Sequence, residues 1–269
     1  PKFFDREGIY GDSAGDYPDN ALRFGLLARA ALEIAKLDFH PQVLHCHDWQ
    51  GAIAAVMLKT TCAGDPALGP LPVLLTIHNI GYQGAFHRSA LAELGLPEEL
   101  CRAGALEFHE KVNFLKGGLI YSGLLNTVSQ AYCREIQTPE YGHGLDGVLR
   151  SRSGRLRGVL NGVDYKQWNP LEDRWIAAPY SPADLRGKRE CKRDLLAALG
   201  LPAARIPGDN VPGDNIDAPL VGMVSRLVAQ KGFDLVIRAA EEIVSLGVTL
   251  TILGTGEAQY EEAARALAQ

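Results

Sequence analysis

Nowhere does this chain carry the run of about 20 apolar residues that a membrane-spanning helix needs. It has no excess of positive charge: 27 Lys and Arg stand against 32 Asp and Glu, a formal net charge of −5. That balance argues against a polyanion such as nucleic acid as the main partner. Cysteine is sparse and unpatterned. The five, at 46, 62, 101, 133 and 191, include no C-x-x-C pair and no metal-ligand spacing. An odd, scattered set of this kind reads as free thiols in a reducing compartment. There is no Walker A sequence and no D-x-D, the carboxylate pair that can hold a divalent cation on a diphosphate. Internal repeats and low-complexity tracts are absent too.

What remains is an ordinary globular composition over 269 residues, enough for one large core or two smaller ones. Pro1 is not an initiator Met, no signal peptide follows it, and residues 260–269 stop inside a helix-like run without a cap. The sequence therefore reads as a piece of something longer, with room for a leader ahead of Pro1.

Helical spacing over 20–36 predicts a first helix, capped by Asp19 or Asn20, with Leu22, Leu26, Leu27, Ala30 and Ile34 inward. Strands are predicted at 42–47, 72–77, 124–128, 157–160, 221–224 and 248–253. Between them lie helices ending at Lys59, over 113–121, from Ala131, up to Arg150 and over 188–199. In the 113–121 helix, Gly117 and Gly118 would permit close packing. Residues 90–106 read as a surface helix, 170–182 as a linker and 202–219 as a loop. Strands alternating with helices predict the α/β class with parallel sheets.

The polar residues fall at telling places. His47-Asp48, His78-Asn79, Ser129, Asn161 with Asp164, Arg226 and Gly254-Thr255-Gly256 each stand where a predicted strand ends. Parallel strands bring those ends to one edge of a sheet, which is where open α/β sheets bind ligands. With a linker near Pro170, two such edges would face each other across a cleft. Residues 221–232 form a strand, a loop and the start of a helix, with Arg226 and Lys231 in the loop. Two cations beside a helix N-terminus suit a phosphate or diphosphate, although such a pair taken alone is more often solvated surface charge.

Three further clusters have chemistry of their own. His45 and His47 share one face of a strand and, with His78, could chelate a metal in a hydrolase; simple packing and hydrogen bonding is the commoner fate. His78-Asn79, just past a buried strand, can donate to and accept from sugar hydroxyls together. Gly254-Thr255-Gly256 lacks the third glycine of a dinucleotide-binding turn and closes a βαβ unit rather than opening it.

Taken in order, several stretches resemble one family, the bacterial glycogen synthases and plant starch synthases. They are Y-P-D-N-A-L-R-F at 17–24, H-C-H-D-W at 45–49, T-I-H-N-I-G-Y-Q-G at 76–84 and N-F-L-K-G-G-L at 113–119. T-P-E-Y-G at 138–142, G-L-D-G at 144–147, L-N-G-V-D at 160–164, and V-S-R-L at 224–227 with Q-K-G at 230–232 complete the set. The resemblance implies a GT-B fold, two Rossmann-like parallel-sheet domains facing across a cleft, both incomplete here. Residues 1–167 would be the acceptor-side domain without its first strand, and 168–269 the beginning of the nucleotide-binding domain.

It also implies retaining, cofactor-free and metal-free transfer of glucose from ADP-glucose to an α-1,4-glucan, in the bacterial cytoplasm or in a plastid. Carried over by position, Arg226 and Lys231 would hold the diphosphate, with Gly254 also on the nucleotide-sugar side. His78 would sit at the transferred glucose, Asn79 and Asn161 on its hydroxyls, and Asp48 and Tyr82 towards the acceptor or the cleft wall. Two family segments are missing, a K-x-G-G-L loop after the first strand and a later S-R-F-E-P-C-G-L stretch, so the chain alone is expected to be inactive. The alternatives are the metal-dependent hydrolase on His45, His47 and His78, and a non-catalytic glucan- or nucleotide-binding relative.

Overall fold

The computed structural model describes residues 3–12, 15–201 and 218–268. The loop expected at 202–219 lies, up to residue 217, outside the described residues. The chain divides into two compact units, Pro1–Gly162 and Val163–Gln269.

In the first unit α1 (Asn20–Ile34) is followed by β1 (Leu44–His47), α2 (Asp48–Lys59) and β2 (Val73–Ile77). Then come α3 (Phe114–Tyr121), β3 (Leu124–Thr127), α4 (Gln130–Glu135), α5 (Asp146–Ser151) and β4 (Leu156–Gly158). The four strands make one all-parallel sheet in the order β1-β2-β3-β4. Apolar residues run without a break through most of β2, and Val73, Leu75 and Ile77 are buried, as expected of an inner parallel strand. The core centres on α2, whose residues from Ala52 to Leu58 are all buried. Helix α3 lies directly against it. A Cβ placed on Gly118 would stand 2.6 Å from the Cβ of Ala52 and 3.0 Å from Leu75 Cδ2, and one on Gly117 would meet Val56 and Leu106. The glycine pair therefore sets the distance between two helices.

Helix α1 exposes most of the residues that its apolar pattern put inside, Leu22 alone packing half-buried on the core. Leu26, Leu27 and Ile34 are exposed, while Ala21, Phe24, Gly25, Ala28 and Leu32 are buried. Both sets keep helical spacing; the smaller residues plus Phe24 make the face that fits against α2 and Trp49, whose ring meets Phe24 edge-on at 4.7 Å. Asp19 does not cap α1 with its side chain. It takes a two-pronged pair from Arg6 instead, at 2.7 and 2.8 Å. Arg23 is buried and donates to the carbonyls of Phe3 and Ile9 and to Asn20 Oδ1, tying the preceding arm to the helix. Every polar atom so used offsets part of the cost of burying the charge.

Residues 90–106 also depart from expectation. They contain only short helical turns, Ala90–Glu93 and Glu98–Leu100, and are not surface: Leu91, Leu94, Leu96, Leu100 and Leu106 are buried. Gly95 and Pro97 interrupt the turn, so the leucines enter the core from irregular backbone. Three very short strands, Ala85–Phe86, Glu107–Phe108 and Lys111–Asn113, form a small antiparallel sheet here that has no period-2 signal in the sequence.

The second unit contains α6 (Arg186–Ala198), β5 (Leu220–Val224), α7 (Phe233–Ser245), β6 (Thr249–Leu253) and α8 (Ala258–Leu267). β5 and β6 pair in parallel, Val221 opposite Leu250 and Val224 opposite Leu253. On α7, Phe233 and Ala240 are buried, while Val244 near its end is exposed.

Replacing Gly118 by Ala should destabilise the chain by about 1–3 kcal/mol through overpacking. Gly154, whose Cβ would meet nothing within 4 Å, should tolerate Ala with no loss. Denaturant unfolding of both variants checks this.

Candidate functional site

The backbone at the carboxyl end of β1 turns sharply into α2, with Asp48 in the left-handed region at φ 50°. That turn aims its carboxylate along the sheet edge. Asp48 Oδ1 accepts the backbone N–H of His78 at 2.7 Å and of Asn79 at 3.3 Å. One carboxylate thus ties the end of β1 to the end of β2, by hydrogen bonds to a charged acceptor that are stronger than neutral ones.

The loop that follows β2 is held at further points. Ile80 N–H donates to Tyr132 Oη at 2.9 Å, and Asn79 Oδ1 accepts the N–H of Gly81 at 2.9 Å. Gln83 Nε2 donates to the carbonyls of Ile80 and His143, and its Oε1 accepts Asn113 Nδ2 at 2.6 Å. Ser129 Oγ caps α4 by accepting Tyr132 N–H, so the tyrosine arrives already placed. Tyr82 is left 47 % exposed and His78 exposed, on a loop whose backbone is fixed. Sequence reasoning missed Tyr132, Gln83 and Asn113 as supports of the loop; the bonds that tie them across it span 30 to 60 residues, and no local pattern announces those.

Beside His78 the three histidines form a row. His45 and His47 do share one face of β1, with ring centroids 4.2 Å apart. His45 Nε2 bonds Thr76 Oγ1 at 2.7 Å, and Thr76 donates onward to Asn126 Oδ1 at 2.6 Å. His47 Nδ1 lies 3.0 Å from His78 Nε2. One nitrogen of each ring is taken by the threonine or by another ring, and among the described residues no group of three or more His, Cys, Asp or Glu is placed to hold a metal ion. Burial, then repulsion from His45 and His78, lowers the basicity of His47, with Asp48 acting in the opposite sense. Cys46, between the two histidines but on the buried face, has its thiol pushed up to about 12 by burial and is no nucleophile. Asn161 stands exposed past the end of β4, and Asp164 Oδ1 caps a turn through Lys166 and Gln167 N–H.

In the second unit Arg226 and Lys231 are exposed in the loop between β5 and α7, Lys231 in the short turn Ala229–Lys231 just before Gly232. A Cβ on Gly254 would collide with the carbonyl oxygen of Ser225. Its bare backbone lets the loop after β6 lie flat on the Arg226 loop, where Leu227 N–H donates to Thr255 O at 2.9 Å. The Gly-Thr-Gly run is therefore a fit between two strand-end loops.

Residues 1–151 match the family model described as starch synthase catalytic domain. The chain is 46% identical over 269 residues to a glycogen synthase of Koribacter versatilis (strain Ellin345), covering 100% of this chain and 53% of that protein. It is 46% identical over 259 residues to a glycogen synthase of Syntrophotalea carbinolica (strain DSM 2380 / NBRC 103641 / GraBd1), covering 96% of this chain and 51% of that one. Among solved structures, the catalytic domain of starch synthase IV from Arabidopsis thaliana, bound to ADP and acarbose, superposes with a TM-score of 0.83 at 34% identity. That match covers 99% of this chain and 52% of the other. The chain thus spans about half the length of the curated relatives it matches.

Asp48 yields a graded expectation. Asn keeps an acceptor and tolerates the left-handed backbone, so Asp48→Asn should cost about 1 kcal/mol. Asp48→Ala loses both bonds and strains the turn, for about 2–4 kcal/mol; urea unfolding separates the two.

His47 gives a pH dependence. Its folded-state basicity is lowered, so the unfolded chain binds the proton better, and stability must fall as pH drops below about 6.5. His47→Phe should flatten that part of a stability–pH curve.

Proposed function

The chain belongs to the family of the starch synthase catalytic domain, and on that footing we propose its function. It takes part in moving glucose from ADP-glucose to the non-reducing end of an α-1,4-glucan, with retention at the anomeric carbon. The observation that carries this is 46% identity to a glycogen synthase over all 269 residues of the chain. The ADP held by the plant relative supports an adenosine diphosphate leaving group. Residues 1–167 serve the acceptor side and 168–269 begin the nucleotide-binding domain. The bacterial origin of the similar sequences supports action in the cytoplasm.

The roles follow from chemistry at the strand ends. Arg226 and Lys231 carry the charge of the diphosphate, helped by the N-terminus of α7 and the loop that Gly254 admits. As the sugar–phosphate bond breaks, negative charge grows on ADP. Fixed cations stabilise it more than they stabilise the ground state, and one such donor is typically worth ~10²–10³ in rate. At an effective dielectric of 20, a charge pair ~4 Å apart interacts by about 4 kcal/mol, which is enough for that effect. His78 lies at the anomeric carbon, where its ring or carbonyl eases the developing positive charge. Asn79 and Asn161 bind glucose hydroxyls, and Tyr82 faces the acceptor. Asp48 has an oxygen committed to two backbone N–H groups and supports the loop rather than attacking the sugar. Attack on the face the diphosphate leaves, guided by that leaving group, needs no enzyme nucleophile.

The test is glucose incorporation from ADP-glucose into a glucan primer by a chain of the relatives' full length carrying these residues. Arg226→Ala should lower kcat by ~10²-fold or more while the unfolding midpoint stays put. An unchanged kcat would take Arg226 off the diphosphate, and a parent chain that transfers no glucose would overturn the function itself.

A further inference from the structure

We infer that His47 is a positioning residue for His78: its ring hydrogen bond occupies one nitrogen of the His78 imidazole and leaves only Nδ1 for a ligand. The inference rests on the reading of His78 as the group beside the transferred sugar.

Asp48 fixes the backbone of His78 but not its ring. An exposed imidazole with a fixed backbone still samples its rotamers within nanoseconds. Such a ring presents a moving target to a sugar. The His47 Nδ1 to His78 Nε2 bond at 3.0 Å, with the ring planes within 27°, removes that freedom.

His47 can do this because it is itself held. Its backbone pairs with Thr76 in the sheet, and its ring lies against that of His45. Thr76 has one hydroxyl proton and gives it to Asn126 Oδ1, so His45 must be the donor to Thr76 through Nε2–H. The row is thereby anchored across three neighbouring strands.

Proton accounting gives the link a second effect. Between two neutral imidazoles a single N–H serves the bond, so one ring donates and the other accepts. If His47 donates, His78 carries its proton on Nδ1 and offers the ligand a donor. If His78 donates, its Nδ1 offers an acceptor. The bond therefore couples the tautomers of the two rings, and through it His47 helps to set which of these the sugar meets. With both rings protonated no acceptor remains and the bond is lost, in keeping with the weakened basicity of His47.

Two measurements test this. In the chain itself, imidazole nitrogen NMR should show His78 in one dominant tautomer. His47→Phe, which keeps the ring and its stacking but has no nitrogen, should turn this into an exchange average. In the full-length form, His47→Phe should lower kcat by about 10- to 100-fold with KM for ADP-glucose changed less than about 3-fold. His47→Asn, whose amide sits where Nδ1 was, should recover kcat to within about 3-fold of the parent. An unchanged His78 spectrum, an unchanged kcat, or equal losses in the Phe and Asn variants each overturn the inference. If the parent transfers no glucose, the functional reading fails, and the NMR comparison alone then decides whether His47 sets the His78 ring.

Discussion

A single carboxylate oxygen accepting two backbone N–H groups is the constraint on which the first unit's site depends. Asp48 can make that contact only because its backbone enters α2 through a left-handed residue, which points the side chain along the sheet edge instead of down the helix. Without it the loop after β2 would keep its bonds to Tyr132 and His143 but lose its backbone tie to the end of β1. His47 and His78 come from those two strand ends, so their ring contact presupposes the same tie.

The parallel sheet was legible because its strands are apolar, short and separated by helical spacing, and because polar residues gather where each strand stops. β1, β2 and β3 lie within two residues of where the pattern put them, and β4 ends earlier than expected, at Gly158 instead of residue 160. The buried face of α1 was not legible. Its apolar residues surround the helix, and periodicity cannot decide between two adequate faces when the choice depends on how closely a neighbour approaches. Residues 90–106 failed for a related reason: leucines delivered to a core by irregular turns leave the same spacing as a helix interrupted by glycine.

For the site, strand-end placement of Asp48, His78 and Asn79 could be read from the chain, while Tyr82 came from the resemblance alone; Asp48 bonds the backbone of His78 and Asn79, and Tyr82 follows on the same loop. What each residue touches could not be read. The pairing of His45 and His47 on one face was visible as period-2 geometry, but not that Thr76 and His78 occupy their nitrogens. Cross-strand partners are set by register, and register is a property of the sheet rather than of any stretch of sequence.

The sequence separations of these bonds carry a kinetic consequence. Asp48 reaches His78 across 30 residues, Ile80 reaches Tyr132 across 52, and Gln83 reaches His143 across 60. Contacts that distant repay their loop-closure entropy only after the intervening helices have docked. The candidate edge is thus as non-local as the sheet beneath it, whose β2 and β3 pair Leu74 with Leu124, and it cannot form ahead of that sheet. An edge tied to so many distant partners is lost when any one of those segments undocks, before α2 and the buried strands beneath it give way.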